Sequence, residues 1–178
     1  WLVCALAERD AAAATDALSK LDDNEIFLGV QVQLNRPFVE GLIARMTNDE
    51  HKAQLAFTAA RAEQEKIVQA QPDFGPAWCV LGLIDAGLGR KEEALREGRR
   101  AIELLPMEKD ARVGNYLVGY FAVIAAWVGE KDLACEQLAI VTRPPGAVSY
   151  GGLKLLPFWD PVRGERCFEE IVASLAPK

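Results

Sequence analysis

The stretch PAWCVLGLIDAGLGRKEEALREGRRAIELLP, residues 76–106, is written as helix, tight turn, helix. Pro76 suits the first turn of a helix, where a missing N–H costs nothing, and Pro106 stops the second one. Gly87-Leu88-Gly89-Arg90 breaks the pattern between them, which predicts helices over 76–88 and 91–105. Ala94 stands just inside the second helix. Working outward, Ala13, Ala53 and Ala134 repeat it at nearly constant spacing, each five residues after a polar or glycine turn. Those turns are Glu8-Arg9-Asp10, Asn48-Asp49-Glu50 and Gly129-Glu130-Lys131, matching Gly89-Arg90-Lys91. A repeat of about 40 residues predicts an all-α solenoid of helix hairpins, none of which can bury its apolar face alone.

The other helix signals also fall in pairs. The first pair is 1–7 and 10–21, ended by Asp22-Asp23-Asn24. Val30, Val32 and Leu34 alternate with Gln31 and Gln33 in a strand-like period, but one strand among helices has no partner, so 26–34 reads as an irregular lead-in. Asn35 caps a helix with Pro37 in its first turn and an end near Met46. A long helix follows over 49–70, with Ala53, Phe57 and Ala60 on one stripe. The last pair, 110–128 and 131–142, stops at Pro144-Pro145-Gly146. After an irregular stretch, a short helix over 165–175 closes the chain. One domain, 1–178, is expected, with repeats at about 1–22, 34–71, 76–106 and 110–143 and a cap at 147–178.

The 178 residues are 51% hydrophobic and carry a net charge of −6, enough for one core and repulsive to phosphate backbones. Arg96, Arg99 and Arg100 are interleaved with Glu92, Glu93, Glu97 and Glu103, which reads as a solvated helix face and not as a nucleic-acid patch. Residues 113–129 are uncharged, but they contain Asn115 and three glycines and run into Glu130, Lys131 and Asp132. A buried solenoid helix explains them better than a membrane span. The start at Trp1, without methionine and already inside a helical pattern, reads as a piece of a longer chain. No signal peptide is visible, and the compartment stays open.

Cys4, Cys79, Cys135 and Cys167 are far apart and form no C-x-x-C pair, and His51 is the sole histidine. Zinc, redox-pair and Cys-His chemistry therefore lack parts, and neither metal nor cofactor is expected. Three of the cysteines lie in apolar helical surroundings, which reads as buried, reduced thiols and favours a cytoplasmic setting. Gly87-Leu88-Gly89 lacks the rest of a phosphate-binding fingerprint, and Ser149 stands in a loop with no histidine near it. An enzyme built on buried carboxylates is the remote alternative.

Residues 76–106 resemble a tetratricopeptide repeat, with Trp78, Leu81, Gly82, Ala94, Ala101 and Pro106 at its signature spacings. Asp85 and Gly98 depart from it, standing where aromatic residues are usual. The second unit keeps Gly41, Ala53, Phe57 and Ala60, and the fourth keeps Ala122 and Ala134. The resemblance covers roughly residues 1 to 145 and implies a right-handed α-α superhelix of about four hairpins, with longer helices than usual. LKLLPFWDPVRGERCFEEIVASLAPK, residues 153–178, looks like the closing segment after such repeats in bacterial multidomain signalling or regulatory proteins. Phe158, Trp159, Phe168, Ile171 and Leu175 are expected to cover the last hairpin, with Glu169 and Glu170 in water. Trp159-Asp160 reads as packing and turn, with a binding spot as the alternative.

By this resemblance the first helix of each pair lines a concave face that binds a peptide or protein segment. The ligand-facing positions carried over are Asn35, Phe38, Leu42 and Arg45, then Cys79, Leu83 and Ala86, then Tyr116, Val123 and Ala126. Relatives that clamp a chaperone's acidic C-terminal peptide use lysine and asparagine where this chain has Cys79 and Leu83, so such a clamp is not implied. The apolar face fits an apolar or helical partner, or a neighbouring element of the chain itself, and several of these positions read equally well as core. The alternative is a structural module that self-associates into a homo-oligomer through Trp1, Leu2 and Val3.

Overall fold

The computed structural model describes residues 1–22, 26, 32–143 and 148–177. Among them the protein is all-helical, with ten α-helices and one 3₁₀ helix. Four helix pairs come first: α1 Leu2–Ala7 with α2 Ala11–Ser19, α3 Arg36–Met46 with α4 Glu50–Ala70, α5 Gly75–Gly87 with α6 Lys91–Leu104, and α7 Val113–Trp127 with α8 Lys131–Val141. Three short elements close the chain: α9 Tyr150–Leu155, the 3₁₀ helix Pro157–Val162 and α10 Arg166–Ser174. Asp23-Asn24, Val30, Gln31 and the stop at Pro144-Pro145-Gly146 lie outside the described residues.

The four pairs are built on one turn. Arg9, Asn48, Gly89 and Gly129 all have left-handed backbone, with φ of 61°, 56°, 75° and 83°. The next N–H in each case reaches five residues back: Asp10 to Ala5, Asp49 to Ala44, Arg90 to Asp85 and Glu130 to Ala125, at 2.9–3.0 Å. That bond satisfies a carbonyl at the end of the first helix and turns the chain into the second. The residue five after each left-handed position is buried alanine: Ala14, Ala53, Ala94 and Ala134, all at most 5% exposed. Their N–H groups make the opening bonds of the second helices, to Asp10, Asp49, Arg90 and Glu130, all at 2.9 Å. This corrects the expected register at one point: Ala14, not Ala13, is the repeat alanine. Ala13 is exposed and gives its N–H to the Asp10 cap instead.

Helix ends follow the local signals elsewhere too. Asn35 accepts from Phe38 N–H, Asp49 from Lys52 N–H and Ser149 from Gly152 N–H, each filling one of the donors a helix start leaves open. Ile26, Val32 and Leu34 are buried, and Leu34 N–H bonds to Ile26 carbonyl at 2.8 Å. No helix is long and apolar enough to cross a membrane among the described residues.

A main core runs from Ala5 to Val172, and a smaller cluster of Val68, Ala77 and Leu81 packs with Trp78. Phe57 sits where Gly41 and Gly87 leave room; a Cβ on either glycine would stand within 2.9 Å of its ring. Gly98 opens a similar space for Phe121, whose ring would meet a Cβ there at 2.5 Å. The aromatic residue that the repeat pattern lacks at Gly98 thus arrives from α7. Two closing elements, α9 and the 3₁₀ helix, occupy a stretch expected to be irregular. Cys135 on α8 and Cys167 on α10 form a disulfide, which corrects the expectation of reduced thiols. The cytoplasmic reading loses that support. Cys79 is a buried free thiol as expected, and Cys4 is an exposed one.

Candidate functional site

Seven of the ten positions assigned to the concave face are core: Phe38, Leu42, Cys79, Leu83, Ala86, Val123 and Ala126 are all at most 3% exposed. Burial pushes the Cys79 thiol up, so it stays protonated and is no nucleophile. Asn35 is half-buried and fully employed, since besides capping α3 it donates to Ala60 carbonyl at 2.9 Å. Arg45 and Tyr116 are half-buried and reach cavities.

Part of the cover comes from the closing segment, which packs on α7, while α5, with Cys79, Leu83 and Ala86, is packed between α4, α6 and α7. Trp127, at the end of α7, stacks on Phe38 at 6.3 Å between ring centres and on Phe158 of the 3₁₀ helix at 6.0 Å. Its indole N–H donates to Phe158 carbonyl at 2.9 Å, so the ring is fixed in place and the segment is held by backbone as well as by side chain. Asp160 then ties this segment to the first hairpin. Its two oxygens accept from Arg9 at 2.5 and 2.6 Å, and Arg163 adds a bond at 2.9 Å. Burial pushes the Asp160 carboxyl up, but the hydrogen bonds from Arg9 and Arg163 together outweigh this and hold it below its ordinary value. Trp159 packs on Phe168, and Ile171 and Leu175 rest on the core while Glu169 and Glu170 face water.

Two small cavities flank the segment. One of about 220 Å³ is apolar and lies among Val3, Tyr116, Tyr120, Val123, Leu153 and Phe158. Burial pushes the Tyr120 hydroxyl up, so it stays neutral. The other, of about 290 Å³, is walled by Leu42, Met46, Trp127 and Pro157, with Arg45 and Asp160 as charged members. A larger space of about 630 Å³ runs along the first hairpin beside Trp1, Val3 and Cys4.

A buried polar cluster escaped sequence reasoning. Asp85 is fully buried and accepts from Arg61 Nε at 2.7 Å, with Arg90 at 3.8 Å; Arg61 also pairs with Glu65. Glu97 is 3% exposed, which corrects its assignment to the solvated face of α6, although Arg96, Arg99, Arg100, Glu92 and Glu103 do lie in water. Burial first, and then Asp85, pushes the Glu97 carboxyl up to about 8. The two carboxyls are within hydrogen-bonding reach, and Asp85 Oδ2 and Glu97 Oε2 have no other donor. A proton on Glu97 makes them donor and acceptor. Asp85 could have been flagged as the residue standing where Ala5, Ala44 and Ala125 stand in the other turns. Neither carboxyl lines the cavities described above. No three His, Cys, Asp or Glu side chains converge as metal ligands among the described residues.

No protein-family model, curated protein or solved structure matches this chain.

Proposed function

We propose that this chain is an interaction module of the tetratricopeptide kind, a helical solenoid with no catalytic role of its own, which holds a peptide or protein segment of a partner within a larger signalling or regulatory protein. The observation that carries this reading is the seating of residues 157–162 on the first-helix face. Phe158 lies against Trp127, and its carbonyl accepts from the indole N–H. A surface that holds one proline-bounded aromatic segment by ring contact and backbone bond has the chemistry to hold another. A partner of this kind competes with the chain's own segment.

The test uses the intact chain as bait in a lysate, beside variants Phe158→Ala and Asp160→Asn that loosen the segment, each checked for helicity. Capture of one protein that strengthens in the loosened variants supports the reading. Capture that is lost in them places binding elsewhere. A second reading, self-association, is favoured by Trp1, which is 100% exposed next to the half-exposed Val3. If no partner is captured and sedimenting mass rises with concentration, that reading takes its place.

A further inference from the structure

Arg45 is the one charged side chain of α3 that reaches the 290 Å³ cavity, and its position is unusual for an arginine. Its guanidinium lies 4.1 Å above the centre of the Trp127 ring. The ring cannot turn away, because its N–H is committed to Phe158 carbonyl. Cation–π contact satisfies the face of a guanidinium but none of its five in-plane N–H donors. Among the described residues those donors find no carboxylate or carbonyl at bonding distance.

The acids that line the cavity do not supply the missing acceptor. Both oxygens of Asp160 are taken by Arg9, and Arg163 shares one of them, so Asp160 attracts Arg45 only from a distance. Glu50 opens α4 at the rim, exposed, and makes no ion pair with Arg45. Three guanidinium groups, those of Arg9, Arg45 and Arg163, thus gather around one spent carboxylate in a chain of net charge −6. Removal from water lowers the pKa of Arg45, and the distant Asp160 offsets this in part. A half-buried cation with idle donors is costly, and an anion arriving from solvent relieves that cost.

We infer that the cavity between α3 and the 3₁₀ helix is a binding site for a carboxylate carried on a short apolar body. The guanidinium fork matches the two oxygens of a carboxylate. Leu42, Met46, Trp127 and Pro157 offer the body a dry wall, and about 290 Å³ holds only a few carbons beyond the acid. A free organic acid and the end of a peptide share this chemistry. The site does not depend on the partner-binding reading, since a small acid binds here whether or not a protein is captured.

The experiment is an NMR titration of the uniformly ¹⁵N-labelled chain with hexanoate, with hexanamide as the uncharged match, and with acetyl-Gly-Leu as free acid and as amide. Saturable shifts with hexanoate, at a Kd of about 1 mM or tighter and absent with the amide, are expected. The free-acid dipeptide separates the sources: tighter binding than hexanoate assigns the site to a chain end, weaker binding to a free acid. Arg45→Met should weaken binding by about tenfold or more, and Arg45→Lys, which keeps the charge without the fork, should fall between. The ligand-free Arg45→Met protein should melt no lower than the parent, because an unpaired charge has been removed. No saturable shift with any acid, equal shifts with acid and amide, or unchanged affinity in Arg45→Met overturns the inference. So does a melting point several degrees lower in ligand-free Arg45→Met, which would make Arg45 a structural brace for Trp127.

Discussion

Asp85 and Asp160 are each held by two arginines, yet they sit in opposite settings. Asp85 lies inside the third hairpin with no exposed surface, facing Glu97, while the Asp160 side chain keeps 46% of its surface and ties the closing segment to Arg9. The inner carboxylate has surrendered its water and depends on every remaining neighbour. The outer one is still partly hydrated, so its ion pairs replace solvent contacts of nearly equal worth. Distances alone would rank Asp160 first, at 2.5 Å against 2.7 Å. Burial reverses that order for stability.

The largest effect expected in either region concerns the bond that reinforces the outer one. Cys167→Ser opens the disulfide across 32 residues and should lower unfolding free energy by about 3–4 kcal/mol, read by urea denaturation. A loss below about 1 kcal/mol would mean that the closing segment is held by packing alone. Next comes Asp85→Ala, which strips Arg61 of its buried partner and Glu97 of its acceptor, for a loss of about 2–3 kcal/mol at pH 6. Adding Glu97→Leu should recover much of it, because replacing the whole pair removes the desolvated groups together. Strict additivity in that cycle would show that Asp85 and Glu97 do not interact.

Glu97→Gln sharpens the contrast through pH. The folded-state pKa of Glu97 is raised from 4.5 to about 8, so its stabilising contribution is complete below pH 4.5 and is lost as pH rises through about 8. Glutamine keeps a donor toward Asp85 at every pH. The variant should match the parent near pH 5 and exceed it at pH 9, the gap widening by about 2–3 kcal/mol between pH 6 and 9 in paired denaturation curves. Parallel curves would place Glu97 in its ordinary titration range. The smallest effect belongs to Asp160→Asn, about 0.5–1 kcal/mol and shrinking with added salt. Asp160 has a lowered folded pKa, so its contribution is present above the ordinary aspartate value and fades as pH falls through the lowered one. A loss as large as that of Asp85→Ala would erase the distinction between the two regions.

What could be read in advance followed from how local the cause was. Helix pairs, the Asn35 cap and the turns at Gly89 and Gly129 depend on residues within one turn of each other, and they stand where expected. The first turn slipped by one residue because Arg9 adopts left-handed backbone without the glycine that usually announces it. Glu97 carries the composition of its exposed neighbours, and its burial beside Asp85 of α5 is a tertiary contact that this composition does not mark. Of the assigned concave face, Leu42, Arg45, Tyr116 and Val123 border cavities. The seating of Phe158 on Trp127 was illegible because Phe158 belongs to a proline-rich segment with no period, and Cys135 meets Cys167 across a span that no spacing rule marks.

The bond from Arg9 to Asp160 joins residues 151 positions apart. In an open array of repeats each unit feels only its neighbours, and an end can fray while the middle stays folded. Here the first hairpin and the closing segment share an ion pair, so the two ends of the chain are in direct contact. Freeing Asp160 should therefore speed hydrogen exchange in α1 and α2 by about two- to fivefold, a light tether from the last residues to the first.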